Sequence, residues 1–476
     1  MRYFHYYTNE TSFDDDYYGL TYLEPWVSLI ENIERVDYNK SFDGYVKFDI
    51  LSNGQIKWKS NNANITRTIE YSKNGSKWES ITSNTGGASI NVVSGDVVYF
   101  RGENESYAEV IDPDYVSGET PDPYNNRNIR TVSFDGTTCN FNLSGNIMSL
   151  IKKDRPVFSS LKNLSGECNF YGMFKIGNNK LKSIENLSLP ATGLTNACYA
   201  FMFTSADTNN TMELPSTKMK NSCYWGMFRG CTNLAAAPEL PATTLAGRCY
   251  YGMFDGCTSL TTAPELPATT LAEYCYLDML RRCTRLTTAP ELPATTLAGS
   301  CYENMFNGCT SLTTAPELPA TTLAGRCYYG MFDGCTSLTT APELPATILT
   351  RHCYCWMFKG CTSLTGGLLE LPALEIVDGC YNGVFSGCTN LETAPKILAT
   401  TGGNVMWAME DMFNGCSRID SLVCMISHFS GYAPTNRWLN GVKEPGTFYK
   451  NPSNTETNVR SNDRIPSTWT VVDYTG

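Results

Sequence analysis

The sequence predicts an α/β solenoid of tandem copies, about ten of them with a period near 26 residues, preceded by a small all-β sandwich. Three observations carry this reading. The stretch CYYGMFDGCTSLTTAPELPAT occurs twice, letter for letter, at Cys249–Thr269 and Cys327–Thr347. Leading cysteines recur at Cys198, Cys223, Cys249, Cys275, Cys301, Cys327, Cys353 and Cys380, in steps of 25, then five of 26, then 27, and all but Cys198 have a companion eight residues on. Within a copy the apolar period also changes. Cys249, Met253, Phe254 and Cys257 fall on one face of a short helix, whereas Leu260, Ala263 and Leu266 belong to a β-branched, proline-bearing stretch that suits a short strand and a turn.

Taken in chain order, residues 1–40 are aromatic and without a clear period, and they read as an extended amino-terminal arm. Residues 41–150 hold short alternating runs, GYVKFDIL, GQIKWKS, TRTIEYS, ASINVV and DVVYFRG, separated by Asn-Gly and Ser-Gly turns, which predicts antiparallel strands packed as a sandwich. The acidic, proline-bearing insert ENESYAEVIDPDYVSGETPDPYNN reads as a long exposed loop, with Asp112, Asp114 and Asp122 as weak candidates for calcium. Residues 151–424 carry the copies, each read as one strand, one turn and one helix. Such a unit cannot stand alone: fixing each backbone costs about 1–2 kcal/mol, whereas burying a Leu, Met or Phe returns about 1.5–3 kcal/mol. Stacking of neighbours must supply the rest. Residues 425–476, with RWLNGVKEPGTFYKNPS and IPSTWTVVDYTG, break the repeat and are expected to cap its last edge.

A fixed period between 20 and 29 residues is the signature of a leucine-rich-type solenoid. The unit LTTAPELPATTLAGRCYYGMFDGC resembles the BspA-type leucine-rich repeat, with MFDGC standing where that family has Ala-Phe-x-x-Cys and LTTAPELP where it has its strand. The resemblance covers about Cys168 to Cys424. It implies a recognition or adhesion surface rather than an enzyme. The order of arm, sandwich, repeats and aromatic end piece, with EPWVSL, VDYNK, GTFYKNP and IPSTWTV, resembles virion proteins of bacteriophages that infect Bacteroides and its relatives. That resemblance implies a tail or fibre-type attachment protein, made in the host cytoplasm and carried on the extracellular particle. Its arm, with Tyr3, Phe4, Tyr6, Tyr7, Phe13 and Trp26, would dock on other virion proteins, while the solenoid would meet a host surface protein or polysaccharide. A homo-oligomer is compatible with this layout. A bacterial cell-surface adhesin is the alternative, and a carbohydrate-degrading tail enzyme the third reading.

Comparison of copies separates constant from variable positions. The residue after each leading cysteine is Tyr199, Tyr224, Tyr250, Tyr276, Tyr302, Tyr328, Tyr354 and Tyr381, which predicts a stacked, half-buried seam. Variation gathers on what reads as the outer face of the helices. There Trp225, Arg229, Arg248, Tyr251, Asp255, Tyr274, Arg281, Arg282, Glu303, Asn307, Arg326, Tyr329 and Lys359 form the candidate recognition face. Opposite them, Glu239, Glu265, Glu291, Glu317, Glu343 and Glu370 recur once per copy, to splay into water or to hold cations between neighbours.

The composition narrows the classes further. A formal charge of -11 opposes a phosphate backbone, so nucleic acid is not an expected partner. No apolar run reaches the roughly 18 residues of a membrane span, and MRYFHYYTNETSFDDDYYG lacks the basic and apolar regions of a secretory signal. His5, His352 and His428 are too scattered to pair a base with a nucleophile, and no phosphate-binding loop or H-E-x-x-H occurs. No catalytic residue, cofactor or metal site is expected. The cysteines read as reduced, buried thiols, because positions eight apart on a helix lie about 12 Å apart, beyond the roughly 7 Å that a disulfide spans. His352, Cys353, Cys355 and Cys361 crowd together as a weak metal candidate, set against simple drift of a repeat.

Overall fold

The computed structural model describes residues 42–111, 129–175, 180–401, 405–428, 435–455 and 465–475. The chain divides into two compact units. Met1–Gly44 is the first, of which residues 42–44 are described, as a turn; Tyr45–Gly476 is the second.

The second unit opens with two sheets. One runs β4 (Glu79–Thr82), β3 (Thr68–Lys73), β6 (Val97–Gly102), β1 (Val46–Ile50) and β9 (Phe141–Asn146), all antiparallel, and then β10 (Leu181–Ser183) parallel to β9, with β11 (Leu187–Ser188) also on β9. The other runs β5 (Ala88–Val92), β2 (Gly54–Ser60), β8 (Ile129–Ser133) and β7 (Ala108–Val110). Alternation in the sequence becomes alternation in burial, as in Val46, Phe48 and Ile50 of β1 or Val98, Phe100 and Gly102 of β6. The inward side chains meet in an aromatic core. Phe48 stacks on Phe141 at 4.1 Å, and Phe134 stacks on Phe174 at 5.6 Å. Gly145, at φ +91°, lets β1 and β9 come together, since a Cβ there would lie 2.0 Å from the Tyr45 carbonyl oxygen. A single α-helix is present among the described residues, Arg155–Ser160, started by Pro156 in its first turn.

From Cys168 onward the chain coils as a β-solenoid. The CYYGMFDGC segment is not a helix, contrary to the reading of its apolar spacing. In the coil of Cys249, residues Arg248, Gly252 and Gly256 all have positive φ, +56°, +53° and +78°, which a right-handed helix does not admit. Backbone hydrogen bonds alternate instead. Cys249, Tyr251, Met253, Asp255 and Cys257 donate three residues back within the coil, while Arg248, Tyr250, Phe254 and their alternates Gly252 and Gly256 donate to Glu273, Cys275, Met279, Leu277 and Arg281 of the next coil, at 2.8–3.1 Å. Every N–H is thereby satisfied without a helix. Glycine at many of these fourth positions eases the left-handed turns and is a poor helix former, although Tyr274, Asp278 and Arg282 make the same turns without it.

These between-coil bonds recur from Cys168 to Asn440. On the first coil, Tyr107 N–H and Phe134 N–H reach the Asn169 and Met173 carbonyls at 3.0 and 3.1 Å, so the sheets close that end. Two further sides of the coils carry isolated parallel bridges, such as Thr288 with Thr314 and Thr296 with Thr322. Toward the other end the bridges lengthen into a parallel sheet of β12 (Glu370–Leu371), β13 (Lys396–Ile397), β14 (Ser421–Cys424), β15 (Thr447–Lys450) and β16 (Thr470–Asp473). The segment expected to break the repeat thus supplies β15 and β16 in continuous register, Leu422 beside Phe448 beside Val471. Trp438, in the column of Met279 and Met412, fills the last described turn segment.

Inside the coils each position forms a column. Tyr199 through Tyr381 stack ring on ring at 5.7–6.0 Å. They are fully buried rather than half-buried, and the Tyr199, Tyr302 and Tyr354 hydroxyls find no hydrogen-bond partner. The twenty cysteines are buried and unbridged. Helical spacing is not what keeps them apart, since the segment is not a helix. What the trailing cysteines do is donate to the carbonyl of the preceding coil, Cys257 Sγ to Phe228 and Cys335 Sγ to Phe306, each at 3.1 Å. A small apolar side chain with a weak donor suits that place. Burial pushes the Cys231 and Cys309 thiols up to about 12, so none of these is a nucleophile at neutral pH.

Candidate functional site

The variable positions of the turn segments gather around one groove. Just outside the main core lies a second apolar cluster, with one aromatic from each of four consecutive coils: Tyr171, Phe201, Trp225 and Tyr251. Their rings meet at 5.5, 5.0 and 5.3 Å. Beside them opens a cavity of about 480 Å³, whose wall they form and whose charged residues are Lys175, Arg229, Asp255, Asp278 and Arg282. A second cavity of about 450 Å³, lined by Lys59, Asn61, Thr85 and Thr131 of the sheets, shares Tyr171 and Lys175 with the first.

Asp255 anchors the site. It is 2% exposed, yet Arg282 grips both its oxygens at 2.8–3.0 Å and Arg229 reaches Oδ2 through Nε at 3.1 Å. A buried carboxylate is tolerated where it is paired and hydrogen-bonded in this way. Arg282 stands at φ +58° in a column that is otherwise mostly glycine, with Gly256, Gly308 and Gly334 as its neighbours. Asp278 is 7% exposed, and its Oδ1 finds no donor. Burial raises its carboxyl to about 6; Arg281, 3.8 Å away, opposes this, while Asp255 and Glu303 add to it.

That shift has a measurable consequence. Between pH 6 and the usual value of 3.8, the folded chain holds a proton on Asp278 that the unfolded chain has released. Stability from this group is therefore present at low pH and lost as pH rises through about 6, by at most about 3 kcal/mol. Melting at pH 5 and pH 7.5 checks it: Asp278→Asn removes most of that group's pH dependence and stabilises the protein at pH 7.5.

Of the thirteen sequence-predicted positions, Trp225, Arg229, Tyr251, Asp255 and Arg282 line this groove. Arg281 sits beside it on Asp278. Another group forms over later coils, where Arg326 pairs with Glu303 at 2.6 Å and lies 4.0 Å over Tyr329, which meets Trp356 at 5.3 Å under the Lys359 ammonium. Arg248 lies 4.8 Å over Tyr274, and Asn307 contributes its carbonyl to the Arg282 N–H. The expected outward display is only partial, for Trp225, Asp255 and Glu303 are buried. Tyr3, Phe4, Tyr6, Tyr7, Phe13 and Trp26 lie outside the described residues, as do Asp112, Asp114 and Asp122. The Glu239 to Glu343 column is exposed. Among the described residues no group of three His, Cys, Asp or Glu side chains could hold a metal ion, and no helix is long and apolar enough to cross a membrane.

Sequence reasoning missed Tyr171, Lys175 and Phe201, and it read Asp278 only as a variable position of the outer face, whereas the residue is buried. A signal was available for two of them. Phe201 and Asp278 occupy the register where Gly226, Gly252 and Gly330 stand, and both have positive φ. A bulky or charged residue in a glycine column marks a departure from the repeat.

The chain is a solenoid repeat protein. No family model matches it, and neither does any curated protein. Among solved structures it is similar to a leucine-rich repeat protein from Bacteroides ovatus, at 18% identity over 61% of this chain and 82% of that one, with a TM-score of 0.31.

Proposed function

We propose that this chain is a non-enzymatic attachment protein that recognises a host surface molecule in the groove of the turn face. The observation that carries the reading is the joining of an aromatic wall to an arginine-clamped, buried carboxylate in a cavity large enough for a ligand. Pockets of this kind combine apolar area with a few fixed polar groups. In the finer reading, the sheets of residues 41–150 form a small sandwich that carries about ten leucine-rich-type copies. The protein would be borne on a bacteriophage virion through its amino-terminal residues, having been made in the host cytoplasm; other virion proteins and a host protein or polysaccharide are its partners. The virion assignment is supported by the layout of the sequence.

The test is binding of the fluorescently labelled chain to Bacteroides cells, with Lys175→Glu as the probe. Lys175 is exposed, so its reversal should leave melting unchanged and weaken cell binding at least tenfold. Undiminished binding would place recognition elsewhere, and absence of the chain from purified virions would favour the adhesin. Glycan cleavage is the second reading, because Asp255 and Asp278 share the groove and paired carboxylates serve glycoside hydrolysis. Release of new reducing ends from a bound glycan would decide for it.

A further inference from the structure

Three features of the groove point to the chemistry of its ligand. First, residues that depart from the glycine columns converge on it. Ser205 and Arg282 stand at φ +60° and +58° in a column that other coils fill with glycine, such as Gly230, Gly256, Gly308 and Gly334, and both line the cavity, as do the positive-φ residues Phe201 and Asp278. Strained backbone retained at one cavity is evidence of use. Second, the charges do not cancel. Asp255 takes two arginines, and the Arg229 side chain, whose Nε reaches it at 3.1 Å, is still 43% exposed, so its guanidinium is open to a further acceptor. Lys175 adds a further cation, so the groove is locally positive in a chain of net charge -11. Third, the shared Tyr171 and Lys175 run the two cavities together, and the second is lined by hydroxyl and amide groups, Ser60, Asn61, Thr85, Thr131 and Ser133.

We infer that the groove takes an extended acidic polysaccharide, with a uronate carboxylate across the terminal nitrogens of Arg229, the ammonium of Lys175 beside it, and a sugar hydroxyl donating to the unpartnered Oδ1 of Asp278. This rests on the reading of the groove as the recognition site and names the class of its ligand. The planar fork of arginine suits a carboxylate, and the aromatic wall gives apolar area to the carbon face of a sugar ring. A neutral glycan would leave the arginine fork and the lysine without an acceptor.

Titration calorimetry on the intact chain, with polygalacturonate and with its methyl ester as the neutral control, tests this. Polygalacturonate should bind at least tenfold more tightly than the ester, and binding should weaken as salt rises. Lys175→Glu and Arg229→Gln should each weaken it at least fivefold. Asp278→Gly should weaken it as well while raising the melting temperature, since glycine relieves both the left-handed backbone and the buried carboxylate whose Oδ1 has no donor. Equal binding of acid and ester, or no binding of polygalacturonate, overturns the acidic class. A lower melting temperature for Asp278→Gly overturns the argument from strain. If cell attachment survives all three substitutions, the groove itself is not the recognition site, a failure distinct from the others.

Discussion

Removal of Cys327–His352, one whole coil, should leave a protein that unfolds in a single transition within about 5 °C of the parent. The new junction places Cys353 after Arg326, so Tyr302 meets Tyr354 and Phe306 meets Phe358, pairs of the kind already present at each step of the stack. The donors of the Cys301 coil, Tyr302, Asn304, Phe306 and Gly308, find carbonyls at Cys353, Cys355, Met357 and Lys359, which now serve the Cys327 coil. Removal of Cys327–Thr339 alone should abolish folding, because half a coil brings turn segment against bridge segment and leaves both ladders unpaired. Circular dichroism melts of the two deletions check this. A shortened chain that fails to fold in the first case would mean that the coils are not interchangeable.

Phe332→Ala should cost about 3–5 kcal/mol, among the largest effects of any single side chain. Phe332 is fully buried between Phe306 and Phe358, with ring centroids 5.5 Å away on each side, and truncation opens a hole that stacked backbones cannot close. Phe332→Leu should cost far less, since Leu280 already occupies this column. Tyr302→Phe provides the contrast. It removes a hydroxyl that has no partner while keeping the ring, so it should leave stability within about 0.5 kcal/mol or raise it by up to about 1 kcal/mol. Urea titration of the three variants gives the ordering. A loss at Tyr302→Phe as large as that at Phe332→Ala would show that the tyrosine hydroxyls are engaged after all.

The solenoid was legible because a repeated chain prints its own alignment. Cysteine and tyrosine columns identify the inward positions of every copy at once. The turn segment was not, since Cys249, Met253, Phe254 and Cys257 fit a helical face as well as they fit a run of left-handed turns. Only Gly252 and Gly256, four apart, speak against the helix, and a single copy cannot show that alternate N–H groups belong to the coil beyond. The same limit explains the site. Asp255 and Glu303 read as surface charges within their own copies, but each is buried by arginines contributed from neighbouring ones, Arg229 and Arg282 for the former and Arg326 for the latter. Phe201 and Lys175 belong to the least regular copies, where the columns are hardest to draw.

The bonds between turn segments all run one way, N–H toward the carboxyl-terminal coil and carbonyl toward the amino-terminal one. Peptide dipoles aligned in this manner add, as they do along a helix. The turn-segment ladder therefore carries an electrical polarity, negative where the Asn169 and Met173 carbonyls face Tyr107 and Phe134 and positive at the opposite end, whereas bridge-side bonds such as Thr261 N–H to the Ala235 carbonyl run the other way. The two ends of that ladder are chemically unlike: the sheets already occupy the carbonyls of the negative end, so a copy of this chain could not extend the ladder there.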